Sequence, residues 1–271
     1  MPLPLYQVDA FTRRPFRGNP AAVVPLERWL DDDLLQAIAL ENNLSETAFF
    51  LRRGERVELR WFTPTSEVPL CGHATLASAH VLLTILDPSR DEVRFDTASG
   101  PLVVRRDGDA LLLDLPAYHP TPWPRPTAAL SRVLGKAPVA ALEAGERNMI
   151  LRYEDEATIA TATPDLAFVK NTLQRDVIIT ARADERDEVD FVSRYFAPSV
   201  GIDEDPVTGS AHAWLTPYWT AILGRTPDSG PLHARQLSPR GGELTCELRG
   251  DRVILRGHAV LTLRGELLVD P

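Results

Sequence analysis

The chain contains little cysteine, which excludes one class of protein at once. Among its 271 residues only Cys71 and Cys246 are cysteines, far too few for a disulfide framework. None of the six histidines has a spacing that is typical of metal ligands. The sequence therefore does not favour a metal-dependent hydrolase, and we expect no bound metal.

Long apolar runs are missing as well. No run reaches membrane-spanning length, and the opening Met-Pro-Leu-Pro-Leu-Tyr-Gln has no charged-then-apolar order of a signal peptide. Acidic residues outnumber basic ones by 38 to 29, so the net charge is -9. This charge argues against nucleic acid or an anionic membrane as the main partner. We expect a cytoplasmic protein that acts on a small molecule.

Two common catalytic signatures are also absent. No glycine-rich nucleotide fingerprint follows a predicted strand. The turn Gly209-Ser-Ala lacks the Gly-x-Ser-x-Gly elbow of the serine hydrolases. We therefore expect chemistry that needs no cofactor.

The chain does contain one motif written twice, half a sequence apart. Residues 60–64 read Arg-Trp-Phe-Thr-Pro and residues 67–74 read Glu-Val-Pro-Leu-Cys-Gly-His-Ala. Residues 194–198 read Arg-Tyr-Phe-Ala-Pro and residues 204–211 read Glu-Asp-Pro-Val-Thr-Gly-Ser-Ala. Self-similarity at this distance predicts two related lobes. Chemistry is expected at three positions where the copies differ, which are Cys71 against Thr208, His73 against Ser210, and Val68 against Asp205.

Hydrophobic periodicity predicts the same elements around each copy. Alternating polarity indicates strands over residues 57–62 and 189–196. Apolar runs indicate helices over residues 74–86 and 210–223, and the first has so little polar face that it should be buried on all sides. Pro217 predicts a kink in the second helix. Each lobe should therefore be a curled mixed sheet around a central helix, in an α+β fold.

The lobe boundaries follow from composition. Hairpins with turns at Asp107-Gly and Gly250-Asp follow the two helices. The proline-rich residues 117–126 predict a linker. This gives an N-terminal lobe over residues 1–116 and a C-terminal lobe over residues 127–271, whose last strand can pair back onto the first lobe. A site is expected in the cleft between two such lobes.

The turns Cys71-Gly-His and Thr208-Gly-Ser each open a predicted helix. The first N–H groups of a helix have no internal partners and carry partial positive charge. A glycine at that point lets a ligand approach the backbone. Such ends can hold a carboxylate or a developing enolate, although one turn alone would equally suit a plain loop-to-helix junction.

The chain contains, in this order, the motifs Val8-Asp-Ala-Phe-Thr12, Gly18-Asn-Pro20, Leu44-Ser-Glu-Thr-Ala48, Cys71-Gly-His-Ala-Thr75, Glu204-Asp-Pro-Val-Thr-Gly-Ser-Ala-His212 and Arg240-Gly-Gly242. Together they resemble the PhzF family of phenazine-biosynthesis-like isomerases. The match extends nearly end to end, and the family resembles the diaminopimelate epimerases in fold. A homodimer is also implied by this resemblance. The family's best-understood chemistry is an isomerisation in phenazine synthesis, and the substrate of this chain stays open.

The resemblance assigns the catalytic roles to three residues. Glu46 matches the family's acid/base, and its apolar neighbours suit proton transfer to and from carbon; on local sequence alone it could be a solvated glutamate at a strand rim. His73 and Asp205 match the family's assisting residues, and their ordinary alternatives are a structural histidine and a turn-forming aspartate. Substrate contacts are implied for Ser45, Gly72, Gly209, Ser210 and Asn19, although Gly-Asn-Pro also suits a plain turn.

Two other functions remain as alternatives. An amino-acid racemase or epimerase of the two-thiol type would need a second thiol opposite Cys71, but the matching residue is Thr208 and Cys246 lies in a predicted hairpin strand. A catalytically silent two-lobed binding protein would keep the fold without turnover. We favour a cofactor-independent isomerase that moves a proton on a small carboxylate substrate. Ala213 departs from the family pattern, and nothing is concluded from it.

Overall fold

The computed structural model of the protein describes residues 2–184, 188–226 and 229–269. The chain divides into two compact units, Met1–Leu115 together with Ile254–Pro271, and Pro116–Val253. No helix within the described residues is long and apolar enough to cross a membrane.

The second unit begins and ends earlier than the C-terminal lobe predicted over residues 127–271. The predicted linker belongs to the second unit, because Thr121–Pro122 in it pairs as a short strand with residues 142–143; proline is tolerated in strands at such peripheral positions. Residues from Ile254 onward belong to the first unit, because the last strand of the chain pairs with its first strand.

Strands make up most of the regular structure, and the helices are few and short. The strands are β1 Leu3–Ala10, β2 Asn19–Leu26, β3 Glu46–Arg53, β4 Arg56–Phe62, β5 Glu67–Val68, β6 Glu92–Thr97, β7 Gly100–Asp107, β8 Ala110–Pro116, β9 Thr121–Pro122, β10 Ala140–Ala144, β11 Asn148–Arg152, β12 Asp176–Arg182, β13 Phe191–Ala197, β14 Ile202–Asp205, β15 Leu232–Gln236, β16 Gly242–Arg249, β17 Arg252–Gly257 and β18 Ala259–Leu267. The α-helices are α1 Asp32–Asn42, α2 Gly72–Val81, α3 Glu156–Ala160, α4 Leu166–Phe168 and α5 Gly209–Ile222; π-helical turns cover Leu82–Leu86 and Val169–Leu173, and 3₁₀ turns cover Ala128–Val133 and Pro198–Val200.

The two units repeat one strand arrangement. In the first unit β2 and β3 are parallel, β3 and β4 antiparallel, β4 and β6 parallel, and β6 and β7 antiparallel. The second unit has the same series in β11, β12, β13, β15 and β16. In both units a short strand follows, after β4 and after β13, and then an apolar helix, α2 or α5. The predicted α+β fold with pseudo-symmetric lobes is therefore confirmed.

The arginine, phenylalanine and glutamate that recur in both copies of the motif make the same contacts in both units. Arg60 and Glu67 form a bidentate ion pair with N–O distances of 2.7 and 2.8 Å, and Arg194 and Glu204 form the same pair at the same distances. The phenylalanine two residues after each arginine lies under the guanidinium, with 5.1 Å from its centre to the ring centroid in both units. Each pair ties a long strand to the short strand that leads to the central helix.

The central helices are buried within their own units. Helix α2 contacts β1, β2, β3, β7 and β18, and nearly every residue in it is buried. In the second unit Trp219 of α5 stacks on Phe191 of β13, with ring centroids 5.6 Å apart, and donates to Thr180 Oγ1 of β12 at 3.0 Å. Each sheet therefore wraps round its helix.

A second layer covers the other face of each sheet. In the first unit Leu35, Ile38 and Ala39 of α1 belong to an apolar cluster with residues of β2, β3 and β4. In the second unit α3, α4 and the following π-helical turn pack on β11, β12 and β13 in the same way. These layers hold the strands that carry the candidate site residues.

Candidate functional site

The first unit brings Glu46, Cys71 and His73 together. Glu46 is the first residue of β3, Cys71 is the N-cap of α2, and His73 is the second residue of that helix. The His73 Nε2 atom lies 3.1 Å from Glu46 Oε2, and Cys71 Sγ lies 3.4 Å from His73 Nδ1. Cys71 and His73 are 5% and 3% exposed, and the Glu46 side chain is 12% exposed. Glu46 therefore does not lie at a solvated strand rim.

Asn19 contacts the same histidine from β2. Its Nδ2 atom lies 3.1 Å from His73 Nδ1. The preceding Gly18 has a φ of +64°, and a Cβ there would collide with the carbonyl oxygen of Ala10, so glycine is required at this position. The Gly-Asn-Pro segment therefore has two roles, since it turns the chain and directs an amide at His73.

The contact with Asn19 decides which nitrogen of a neutral His73 carries the ring proton. An amide N–H donates, so Nδ1 of a neutral His73 accepts it and the ring proton lies on Nε2, towards Glu46. A charged His73 carries a proton on both nitrogens and needs an acceptor near Nδ1. That acceptor is either the Cys71 sulfur or, if the side-chain amide is flipped, Asn19 Oδ1.

Charge within the cluster changes the pKa of two members. Burial, assisted by the charge of Glu46, raises the pKa of the Cys71 thiol to about 11. For His73, burial opposes the charged form, but Cys71 and Glu46 favour it, and together they raise the pKa above its usual value.

The facing atoms of Glu46 and His73 retain bonding capacity. Their 3.1 Å contact is an ion-pair distance, but within the described residues neither Glu46 Oε2 nor His73 Nε2 has a partner in hydrogen-bond geometry. Buried polar atoms are normally satisfied, so such a pair points to a function. A carboxylate and an imidazole side by side can exchange protons with a bound molecule.

The second unit holds another buried polar group around Thr208, the residue that matches Cys71 in the repeat. Asp205 ends β14 and is buried, and its Oδ2 accepts from Thr208 Oγ1 at 2.5 Å. Gln236, at the end of β15, donates through Nε2 to the Asp205 carbonyl at 2.7 Å and accepts from the Thr208 N–H at 2.8 Å. Sequence reasoning missed Gln236, because nothing in its local sequence marks it.

The remaining predicted substrate-contact residues lie at the starts of β3, α2 and α5. Ser45 precedes β3, Gly72 begins α2, and Gly209 and Ser210 begin α5. The N-caps of both helices, Cys71 and Thr208, make no side-chain capping bond. The predicted set is thus divided, with Asn19, Ser45, Glu46, Gly72 and His73 in the first unit and Asp205, Gly209 and Ser210 in the second.

Glu46, Cys71 and His73 are also a possible ligand set for a metal. One ligand atom from each lies within 4.8 Å of the other two. Histidine spacing in the sequence could not reveal this set, because Glu46 lies on a different strand, 25 residues before Cys71.

Comparison with known proteins gives consistent matches. The PhzC-PhzF family, described as phenazine biosynthesis-like protein, matches residues 8–265. An uncharacterized isomerase of Pseudomonas aeruginosa is 51% identical over 267 residues, which cover 98% of this chain and 99% of that protein. A crystal structure of a PhzF-family protein from Enterococcus faecalis has 45% identity and a TM-score of 0.92 over 99% of this chain and 100% of that one. A probable proline racemase from Agrobacterium radiobacter, at 11% identity and a TM-score of 0.65 over 99% of this chain and 94% of that one, shares the fold alone.

Proposed function

Because the chain belongs to the PhzC-PhzF family and is an isomerase, we propose that Glu46 is the acid/base that moves a proton on a small carboxylate substrate. The carboxylate takes a proton from one carbon and returns it at another atom of the same molecule. The reaction then needs no external oxidant, because no electrons leave the substrate. No cofactor takes part in this proposal.

One observation carries the proposal. The Glu46 carboxylate lies 3.1 Å from the buried His73 imidazole, and the facing oxygen of Glu46 is not used in a hydrogen bond by any described residue. A general base must have an accessible lone pair and a neighbour that stabilises both of its protonation states. The imidazole meets the second need, because it can accept or donate a proton as the carboxylate changes state.

Further roles are assigned through the resemblance to the family. His73 shuttles protons and orients the substrate beside Glu46. Asp205 assists from the second unit, where Thr208 fixes its carboxylate. Substrate contacts are proposed for Asn19, Ser45, Gly72, Gly209 and Ser210, because the N–H groups at the start of a helix can bind a carboxylate. We also propose a homodimer, which sedimentation measurements test.

A two-thiol racemase is less well supported. Its second thiol would have to match Thr208, whose hydroxyl is a far weaker acid than a thiol. Cys246 is no substitute, because it is fully buried inside β16 and burial raises its pKa to about 12. Proton movement by one carboxylate therefore accounts for more of the observed residues than proton movement by two thiols.

Solvent isotope labelling tests the proposal. The purified protein is incubated in D₂O with a panel of small carboxylates, and incorporated deuterium is measured by mass spectrometry. Wild type should label at least one compound. Glu46→Gln should still bind that compound, measured by thermal shift, but should lose labelling by a factor of about 100 or more, as expected for a missing general base.

A matched control separates catalysis from a general effect of losing a carboxylate. Glu41→Gln changes the same residue type at an exposed position of α1 and should label at the wild-type rate. Labelling that survives in Glu46→Gln would remove Glu46 from the mechanism. Binding without labelling in wild type would identify a silent binding protein.

A further inference from the structure

The Cys71 thiol has no part in the proposed proton transfer, yet it belongs to the same buried cluster. It gives the cluster three different ligand types, a thiol, an imidazole and a carboxylate, each with one atom within 4.8 Å of the other two. Two of the separations are short, with 3.4 Å from Cys71 Sγ to His73 Nδ1 and 3.1 Å from His73 Nε2 to Glu46 Oε2.

Each short distance is close to a ligand separation around one tetrahedral ion, but the two involve different nitrogens of His73. Zinc bonds of about 2.3 Å to sulfur and about 2.0–2.2 Å to nitrogen and oxygen place neighbouring ligand atoms roughly 3.3–3.6 Å apart. A single metal uses one nitrogen of His73, so the widest separation must shorten. With Nε2 as the ligand this is the separation from Cys71 Sγ, and with Nδ1 it is the separation from Glu46, so rotation of the Cys71 or the Glu46 side chain must shorten it.

A second observation points to a ligand at this place. His73 Nε2 and Glu46 Oε2 are buried atoms that no described residue hydrogen-bonds. A cation that displaces the ring proton of His73 would bind both of these buried atoms. The thiol favours a borderline-soft ion such as Zn²⁺ or Co²⁺ and disfavours Mg²⁺ and Ca²⁺, which prefer oxygen ligands only.

We propose that Glu46, Cys71 and His73 form a binding site for Zn²⁺ or a chemically similar divalent ion, with a fourth coordination position open to water or an anion. Metal binding and proton transfer exclude one another, because the ion occupies the lone pairs of Glu46 and His73. Zinc therefore inhibits the enzyme. The inhibition rests on the proposed function, whereas the binding does not.

Cobalt is the probe for binding. The full-length metal-free protein is titrated with Co²⁺, and the thiolate-to-cobalt charge-transfer absorption is followed. Wild type should show the band with one equivalent bound, Zn²⁺ should displace cobalt with a dissociation constant of about 1 μM or below, and Mg²⁺ should have no effect. Cys71→Ser should lose the band. Cys246→Ser should keep it, because Cys246 lies in β16 of the second unit.

Other results would overturn the site. They are a wild-type protein without the band, a band that persists in Cys71→Ser, or binding that needs millimolar metal. If Cys71→Ser fails to fold by circular dichroism, Glu46→Gln provides the second test, since it keeps the thiol but should weaken cobalt binding at least 10- to 100-fold. Deuterium labelling without metal binding would refute the metal site alone, and metal binding without any labelling would refute the proposed function alone.

Discussion

At the scale of single residues, the two motif arginines make the same contact in different surroundings. The side chain of Arg60 is 26% exposed and that of Arg194 is 10% exposed. Arg194 also donates to the carbonyls of Ile159 and Ala162, so it satisfies three groups that water cannot easily reach. Exposed ion pairs contribute about 0–1 kcal/mol, whereas removing one partner of a buried pair costs about 3–5 kcal/mol.

We therefore expect Arg194→Met to be far more destabilising than Arg60→Met. The expected losses in the free energy of unfolding are about 3–5 kcal/mol and about 1 kcal/mol, measured by urea denaturation. Adding Glu204→Leu to Arg194→Met should recover part of the loss, because it removes the buried charge that was left alone. Equal losses at both arginines would show that burial does not decide the value of the pair.

Among the equivalent positions at which the central helices differ are Thr75 and His212. Thr75 Oγ1 donates to the carbonyl of N-cap Cys71 at 2.5 Å, and His212 Nδ1 donates to the carbonyl of N-cap Thr208 at 2.8 Å. Only the histidine titrates. Burial lowers the pKa of His212 to about 4, because the charged ring would lie among apolar groups.

This pKa predicts a loss of stability in mild acid. Above pH 6.5 the His212 ring is neutral in both the folded and the unfolded state, so it does not lower the free energy of unfolding. Between pH 6.5 and about 4 only the unfolded chain takes up the proton, so stability falls by about 3 kcal/mol across that window. Urea unfolding at several pH values measures the fall.

The variant His212→Thr copies Thr75 and cannot titrate. It loses stability at pH 7 through a smaller side chain, but its free energy of unfolding should change less with pH than that of wild type. The difference between the two proteins should shrink by about 3 kcal/mol from pH 7 to pH 4. Parallel pH curves would contradict the assignment.

At the scale of elements, helix α5 accommodates a proline at its centre. Pro217 has no N–H for the carbonyl of Ala213, four residues earlier. That carbonyl instead accepts from the Tyr118 N–H at 3.1 Å, and the Tyr118 ring stacks on Trp214 with 4.7 Å between centroids. The helix is continuous through Pro217, so the segment predicted as a linker supplies the bond that the proline removes.

A double-mutant cycle tests this substitution of one donor for another. Tyr118→Pro removes the donor and leaves the Ala213 carbonyl without a partner, which should cost about 1–3 kcal/mol beyond the loss of ring stacking. In a Pro217→Ala background the new N–H can serve that carbonyl, so the cost of Tyr118→Pro should fall by about 1 kcal/mol or more. Additive effects within about 0.3–0.5 kcal/mol would mean that the two sites are independent.

Local pattern was sufficient for the strands and helices that flank the repeated motif and insufficient for the cluster around His73. Alternation and apolar runs predicted β4, β13, α2 and α5 to within a few residues, because those periods arise from geometry that each segment has alone. The contact of Glu46 with His73, and the role of Gln236, depend on segments that lie far apart in the chain.

At the scale of the whole molecule, the first unit is built from both ends of the chain. Strand β18 pairs with β1 from Leu3 opposite Leu267 to Ala10 opposite Ala259, and it also contacts α2. Strand β1 in turn pairs with β2, which carries Asn19 at its first residue. The position of Asn19 therefore depends on β18, the last strand of the chain.

Truncation of the chain measures this dependence. A protein that ends after His258 lacks β18, so β1 loses its outer hydrogen-bond ladder and buried residues such as Tyr6 and Val8 lose their cover. Because whole domains are stable by only about 5–15 kcal/mol, we expect this truncation to unfold the first unit and to abolish deuterium labelling. A protein that ends after Leu267 keeps the ladder and loses the exposed Leu268, so it should retain wild-type near-ultraviolet circular dichroism and labelling. Equal behaviour of the two truncations would show that β18 is dispensable for the fold of the first unit.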